Sequence, residues 1–550
     1  MACVRTVTYE VLINGSSYGH IQPTRGIRQG DPLSPYLFLF CAEVLSQMLD
    51  KADVTRQVHG MQLERECPVI SHLLFADDSL FFCRATETNC QNMVNIFKRY
   101  KEISGQMINY SKSSIIFGMK IPEVKRRRLQ RILNIDNVGG GGKYLGLPEQ
   151  FGRKKVEMFE YIVKRVKERT EGWSNKFLSP AGKEILIKSI ALALPVYSMN
   201  CFMLPHSICD EIQSVLTTFW WGKEKGKRKI PWIAWKRMTL PKKEGGLGFK
   251  DLHHFNRALL AKQAWRILRN PQSLLARLYK GMYHPQTTYL EAVTGTYTSF
   301  GWRSIQHGKE LLCQGLRVRL GNGQDTRVWE DPWLPTIPPR PAYGPAVIPN
   351  LTVSDLWKEG LREWNPVIFE GVLNPEDQQL AESLYLSKYA VQDSYEWAYT
   401  KNAQYSVRSG YWVATHVHFD EEDAILPLPG SIALKKEIWK LPITPKICHF
   451  LWRCLSGALA TATQLRTRMI PADPICQKCC QADETVNHIL FTCPFADVVW
   501  KHANNIVGHN RFSDSLEDNF GLMIQFAHIP SLPHFQRLLP FWIVWRLWKS

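Results

Sequence analysis

Ile70-Ser71-His72-Leu73-Leu74-Phe75-Ala76-Asp77-Asp78-Ser79-Leu80-Phe81-Phe82 is the stretch that decides how this chain reads. Two apolar runs are pinched around a pair of adjacent acids, a strand-turn-strand pattern with carboxylates at its tip. Burying two such charges is costly unless a cation neutralises them. Oxygen ligands suit divalent metals, and phosphoryl transfer is the chemistry that paired metals serve best. An ordinary acidic turn would show the same letters, because Asp is common in turns. The pair therefore needs support from its surroundings.

Upstream stands Arg25-Gly26-Ile27-Arg28-Gln29-Gly30-Asp31-Pro32-Leu33-Ser34-Pro35. A glycine-bearing loop lets backbone approach a ligand closely, and Arg25 and Arg28 add cations where a triphosphate or a template backbone could lie. The loop runs into a helix, with Ser34 as N-cap and Pro35 at the first helical position. Leu37, Cys41, Val44, Leu45 and Met48 stand at helical spacing as its buried face. Before the loop, 7–13 reads as a strand closed by an Asn14-Gly15 turn. After the acidic pair, Met93, Ile96, Phe97 and Tyr100 mark a second amphipathic helix.

Working outward, 121–330 is mostly helical. Val156, Phe159, Val163 and Val166 make an apolar stripe, and basic runs stand at 125–128 and 223–229. The stretch 331–350 carries seven prolines, from Pro332 to Pro349, and reads as an extended linker. A second seam, 420–430, is acidic and Pro-containing and reads as an exposed loop. At 550 residues the chain exceeds one hydrophobic core. Its 45% hydrophobic and 21% charged content argues against wholesale disorder. A formal charge of +18 favours a polyanionic partner. No signal peptide opens the sequence, and the longest apolar stretch, 185–204, is broken by Lys188, Pro195 and Asn200. No membrane span and no secretion are expected. The 14 cysteines are mostly scattered singly, which fits reduced thiols better than disulfides. Cys41, Cys83 and Cys90 read as small core residues, and His253-His254 as a packing or surface pair.

Near the C-terminus, Cys476-Gln477-Lys478-Cys479-Cys480 is followed by His488 and Cys493. Cys-x2-Cys, then His, then Cys five positions on suits a Cys3His tetrahedral zinc site. Four protein ligands leave no open position, so the site reads as structural. Cys480 is a spare that could replace Cys479, and Glu484 is a candidate outer partner. Phe450, Leu451, Leu455 and Leu459 read as one helix face.

The chain at this point resembles the reverse transcriptases of LINE-type retrotransposons lacking long terminal repeats. The resemblance rests on 25–38, 72–82, Ser104-Gly105-Gln106-Met107-Ile108-Asn109 with Lys112-Ser113, and Lys143-Tyr144-Leu145-Gly146-Leu147-Pro148. Farther on, 173–183 and Phe219-Trp220-Trp221-Gly222 look like plant-type members. Tyr405 to Tyr411, 438–452 and Trp500 look like the zinc-binding module that follows this class.

The resemblance implies an α+β fold with a partial right-hand polymerase palm at 1–120, a helical thumb and connection at 121–330, and a linker at 331–350. A connecting region at 351–403, a zinc-binding domain at 404–502 and a tail at 503–550 would follow. It implies that Asp77, assisted by Asp78, holds Mg2+, and that Gln29 and Gly30 line the pocket where template base and nucleotide pair. Lys112 would lie near the triphosphate and 144–148 near the primer. Partners would be an RNA template, a DNA primer and deoxynucleotides, in the nucleus or cytoplasm. The family uses a further Asp on an upstream strand. About 24 residues precede Arg25 and hold Glu10 as their sole acid. The expectation is therefore an N-terminally truncated fragment with an incomplete two-metal site, inactive alone. The rival expectation is a non-catalytic nucleic-acid binder using the basic thumb and the zinc module.

Overall fold

The computed structural model describes residues 6–23, 26–149, 152, 154–173, 178–224, 227–345, 348–358, 361–386, 389, 391–417, 429–503 and 512–550. Arg25 and most of the 420–430 seam lie outside the described residues. The chain is a mixture of helices and small sheets, and among the described residues every sheet has two strands. It divides into two compact units, Met1–Gly152 with Asn270–Thr298, and Arg153–Arg269 with Ser299–Ser550. The first division thus falls at 152 rather than near 120.

In the first unit, β1 (Tyr9–Ile13) and β2 (Ser16–Ile21) form an antiparallel ribbon. Asn14 and Gly15, both at positive φ (51° and 85°), make the tight turn that suits a two-residue hairpin loop. The ribbon is exposed along its whole length. Helix α1 (Ser34–Val54) begins one residue earlier than the sequence suggests, with Leu33 as N-cap. Ser34 does not cap it; its hydroxyl donates to the Arg28 carbonyl at 2.6 Å. The buried stripe of α1 is Leu45, Leu49 and Ala52, with Met48 beside it. Val44 is exposed, because the helix is covered over its second half while Tyr36, Leu39 and Phe40 face outward.

The hairpin β3 (His72–Phe75) and β4 (Asp78–Phe81) packs Leu74 and Phe81 against that stripe. Helix α2 (Glu87–Ser104) completes the small core with Met93, Ile96, Phe97 and Tyr100, the residues its spacing selects. Thr86 caps it by accepting from the Asn89 N–H, and Gly105 ends it at φ 71°. Cys90 is buried and Cys83 packs on this core, whereas Cys41 is only half-buried. Helix α3 (Glu123–Leu133) carries the basic run 125–128 and ends the ordered helices of this N-terminal stretch.

The second unit is larger. Helix α4 (Lys155–Gly172) buries Phe159, Ile162, Val163 and Val166; Val156 stays exposed. Helices α5 (Pro180–Leu186), α6 (His206–Trp221) and α7 (Leu252–Arg269) follow. α7 lies against α8 (Phe300–Cys313) at very short range: a Cβ on Gly308 would sit 2.3 Å from the Leu260 carbonyl carbon. It also carries α9 (Val407–His416), through the Tyr405 hydroxyl donating to the Ala258 carbonyl at 2.8 Å.

The Pro-rich stretch is a correction. Within 331–345, Trp333, Leu334 and Ala342 are buried in a core with Val318, Val328 and Phe369. Arg340 grips the Asp377 carboxylate with both terminal nitrogens. Proline bars this stretch from helix and inner strand, but the Trp and Leu between the prolines still have apolar area to bury. The presumed tail is a second correction. Helices α10 (Pro445–Leu455), α11 (Pro494–His502), α12 (Leu516–Ala527) and α13 (His534–Lys549) share one core. Phe520, Phe541 and Val544 meet Phe450, Leu451, Leu455 and Leu459 there.

Candidate metal centres

Two sites stand out, one in each unit. In the first, Ala76 and Asp77 form the two-residue turn between β3 and β4, with Phe75 paired to Asp78. Ala76 has φ 49°, a left-handed conformation that costs a residue bearing a Cβ about 1–2 kcal/mol. Strain of this kind persists only where the surrounding structure holds it. The far end of the hairpin, where His72 pairs with Phe81, is tied to α1. His72 Nε2 meets Ser46 Oγ of α1 at 2.7 Å, and its Nδ1 meets Ser71 Oγ at 2.9 Å. Both links were missed in the sequence, where a lone Ser and His carry no signal.

Asp77 and Asp78 are exposed. Among the described residues, no ion pair or hydrogen bond ties either side chain to Arg28, Gln29 or Lys112. Arg28, Gln29, Gly30 and Lys112 are likewise exposed in the same unit. Gly30 takes φ 84°, and Asp31 closes the loop by accepting from the Leu33 N–H at 2.8 Å. Lys112 is held by its backbone, whose N–H donates to the Asn109 carbonyl at 3.1 Å. Glu10, on β1, accepts from the Ser17 hydroxyl. The two adjacent carboxylates match Mg2+ in ligand type, since that ion is commonly held by one or two carboxylates with waters and phosphates. A two-metal site asks for more.

The second site is fuller. Cys476, Cys479, His488 and Cys493 bring one ligand atom each to within 4.8 Å of one another, the one such cluster among the described residues. A tetrahedral zinc–thiolate site holds its donors at comparable separations. The local fold explains the convergence. Cys476 donates its N–H to the Ala482 carbonyl, and the Cys480 N–H returns to the Cys476 carbonyl, both at 2.8 Å. Cys480 takes φ 56° to finish this tight loop and points its thiol to solvent. It is therefore not the alternative ligand; Cys479 is in the cluster, its sulfur 3.1 Å from His488 Nε2.

His488 and Cys493 bracket a single π-helical turn, His488–Thr492. Glu484 is not the outer partner. Its carboxylate accepts from the Ala462 N–H at 3.0 Å, at the start of the short helix Ala462–Arg466. Thr492 Oγ1 takes that place instead, 3.4 Å from His488 Nδ1. Burial opposes a thiolate at Cys479, but the Gln481 N–H, His488, the Ala482 N–H and Cys476 outweigh it and hold the pKa down at about 6. Burial raises Cys493.

A third cluster gave no sequence signal. Glu184 of α5 is met by Lys188 Nζ at 2.6 Å, Lys242 Nζ at 2.9 Å and His449 Nε2 at 2.8 Å. Burial alone would raise its carboxyl, yet these partners pull it far below the carboxylate range. His253 packs against His206 with ring centres 3.7 Å apart and ring planes tilted by 31°, a packing role.

Comparison with known proteins adds independent findings. Residues 2–157 match the family described as reverse transcriptase (RNA-dependent DNA polymerase). Residues 405–500 match zinc-binding in reverse transcriptase. A putative ribonuclease H protein of Arabidopsis thaliana is 30% identical over 356 residues, covering 63% of this chain and 56% of the relative. The chain thus spans about half of that relative's length. An uncharacterized mitochondrial protein of Arabidopsis thaliana is 47% identical over 151 residues, 27% of this chain and 98% of the relative. An uncharacterized transposon protein of Xenopus laevis is 26% identical over 43% of this chain and 17% of its own length. No described helix is long and apolar enough to cross a membrane.

Proposed function

This chain belongs to the reverse transcriptases of non-LTR retrotransposons, with a zinc-binding module, and from that premise we propose that its first unit carries part of a polymerase palm. Asp77 and Asp78 would hold Mg2+, whose chemistry is to stabilise charge on the oxygens of the phosphoryl group being transferred. The reaction proposed is attack of a primer 3′ hydroxyl on the α-phosphate of a deoxynucleotide, with pyrophosphate leaving. Gln29 and Gly30 would seat the template base and the incoming nucleotide, and Gly30 lets backbone come close because it has no Cβ. Arg28 and Lys112 would meet phosphate oxygens, as would Arg25. The helices between 121 and 330 would act as thumb and connection.

The observation that carries this reading is the pair of adjacent exposed carboxylates at the tip of the β3–β4 hairpin, beside Ala76 at positive φ. A tip built to hold cations keeps its acids solvated and its backbone fixed. The second metal site would be a structural zinc held by Cys476, Cys479, His488 and Cys493. Such a site fixes chain geometry and takes no part in bond making.

A two-metal centre needs a carboxylate besides these two, and Glu10 is engaged with Ser17 on an exposed ribbon. Substituting one metal-holding carboxylate costs on the order of a thousandfold in rate. Primer extension on RNA and DNA templates, with Mg2+ or Mn2+, is the test. Incorporation that falls about a thousandfold in Asp77→Ala supports the site, and incorporation that Asp77→Ala leaves unchanged refutes it. The alternative, nucleic-acid binding without catalysis, is favoured by the +18 charge. It predicts salt-sensitive RNA binding that Asp77→Ala leaves intact.

A further inference from the structure

We propose that Cys83 and Cys90 form a reversible disulfide between the end of β4 and the first turn of α2, with glutathione disulfide as the oxidant. The inference needs only the first unit folded as described, and it stands apart from the polymerase reading. Cys83 lies two residues beyond β4, the strand that begins at Asp78, and Cys90 lies in the first turn of α2. Both thiols are free in the structure.

The backbone brings them together. Cys83 sits between two anchored neighbours. The Phe82 N–H donates to the Ser71 carbonyl at 2.8 Å, and the Arg84 N–H to the His59 carbonyl at 3.0 Å. His59 in turn donates its own N–H to Asn89 Oδ1 at 2.8 Å. One residue thus holds the neighbours of both cysteines. Between them the chain turns back at once: the Thr86 N–H donates to the Arg84 carbonyl at 2.8 Å, and the Cys90 N–H to the Thr86 carbonyl at 3.1 Å. The side chains meet, with the Cys90 S–H donating to the Cys83 sulfur. Sulfurs already in contact have only to close to a bond of about 2.05 Å. Cys67 is turned elsewhere, its S–H donating to the Leu278 carbonyl at 3.6 Å.

The two thiols differ as attacker and resolver must. Cys83 is half-buried and within reach of a small disulfide, whereas Cys90 is 3% exposed. The Cys90 S–H holds the Cys83 pKa below the ordinary thiol value, and burial opposes this only in part. The same hydrogen bond, with burial, pushes Cys90 well up. Cys83 is therefore the thiolate that attacks first. It bonds to one sulfur of glutathione disulfide, whose S–S bond breaks, and one glutathione leaves as a thiolate. Cys90 passes its proton to that thiolate, attacks the Cys83 sulfur and displaces the second glutathione. Two cysteine thiols are oxidised to one disulfide, and glutathione disulfide is reduced to two thiols.

The experiment incubates the full chain with glutathione disulfide, caps the remaining thiols with an alkylating agent and weighs the tryptic peptides. Trypsin cuts after Arg65, Arg84 and Lys98, so the bond joins peptide 66–84 to peptide 85–98 with loss of two hydrogens. That joined peptide is expected, and dithiothreitol should separate it. Cys83→Ser should lose it altogether, although Cys67 remains in peptide 66–84. Cys90→Ser should stop at the first step, with one glutathione left on Cys83. Absence of the joined peptide from the unaltered chain overturns the proposal, as does its persistence in Cys83→Ser. A Cys90→Ser chain that takes up no glutathione at Cys83 overturns the order of attack. Should a variant fail to fold, fragmentation of the joined peptide from the unaltered chain decides, and a bond at Cys67 overturns the pair.

Discussion

Cys480 and Cys479 are neighbours with opposite fates. One closes a tight loop with its thiol in water, and the other joins three donors. Cys480→Ser should therefore leave bound zinc unchanged, at one per chain by metal analysis, while Cys476→Ser or His488→Ala should abolish it. Because binding energy at a structural site is folding energy, of order 10 kcal/mol in small zinc modules, those two variants should also lose cooperative melting of the C-terminal core. Retention of zinc by Cys476→Ser would count against the ligand set. His253 makes a separate point. Burial, helped by repulsion from His206 and His254, lowers its pKa to about 4, and Asp251 opposes this only in part. The unfolded chain takes up a proton near pH 6.5, whereas the folded chain does so only near 4. The stability this difference contributes is complete above about pH 6.5 and drains away as pH falls towards 4. Melts of His253→Phe between those pH values should fall less steeply than those of the unaltered chain; parallel curves would exclude the assignment.

At the scale of elements, Glu184 joins α5 to α10 and to the turn at Lys242–Glu244. Its side chain is 11% exposed, while Lys188 and Lys242 are 35% and 36% exposed. Water thus screens the cations more than the acid. Glu184→Gln should cost roughly 2 kcal/mol, below the 3–5 kcal/mol of a fully buried pair. Chemical denaturation should show this as a lower midpoint for the second unit, and a shift under about 0.5 kcal/mol, the level of an ordinary surface change, would refute the role. Nothing in the sequence announced this cluster, because its members are far apart along the chain and each is an ordinary residue. The acidic hairpin and the Cys3His set were legible for the opposite reason: their parts are local, so spacing alone brings them together. The α1 stripe was read about one turn too early. Helical period gives a face, but only neighbours decide which half of it is covered. The Pro-rich stretch misled because composition reports what backbone cannot do, and not what Trp333 and Leu334 can bury.

For the whole molecule, the first unit leaves much apolar surface in water. Leu12 is 72% exposed, Phe40 72% and Leu39 60%. Dye probes of apolar surface should bind the full chain, and the triple change Leu12→Ser, Leu39→Ser, Phe40→Ser should reduce that binding with little change in melting temperature. A large loss of stability would mean that these side chains are covered in solution. The sequence could not reveal this exposure, since the same letters in 7–13 and 34–54 serve equally well inside a core.

Lys478, set between two of the sulfur donors, reaches the last helix: its ammonium donates to the Leu547 carbonyl at 3.1 Å and to the Ser550 hydroxyl at 2.7 Å. The thiol loop and α13 are thereby mechanically tied. An oxidant or a chelator that opened the loop would loosen a helix it never touches, so protease sensitivity around 534–549 would serve as a remote gauge of the redox state of those sulfurs.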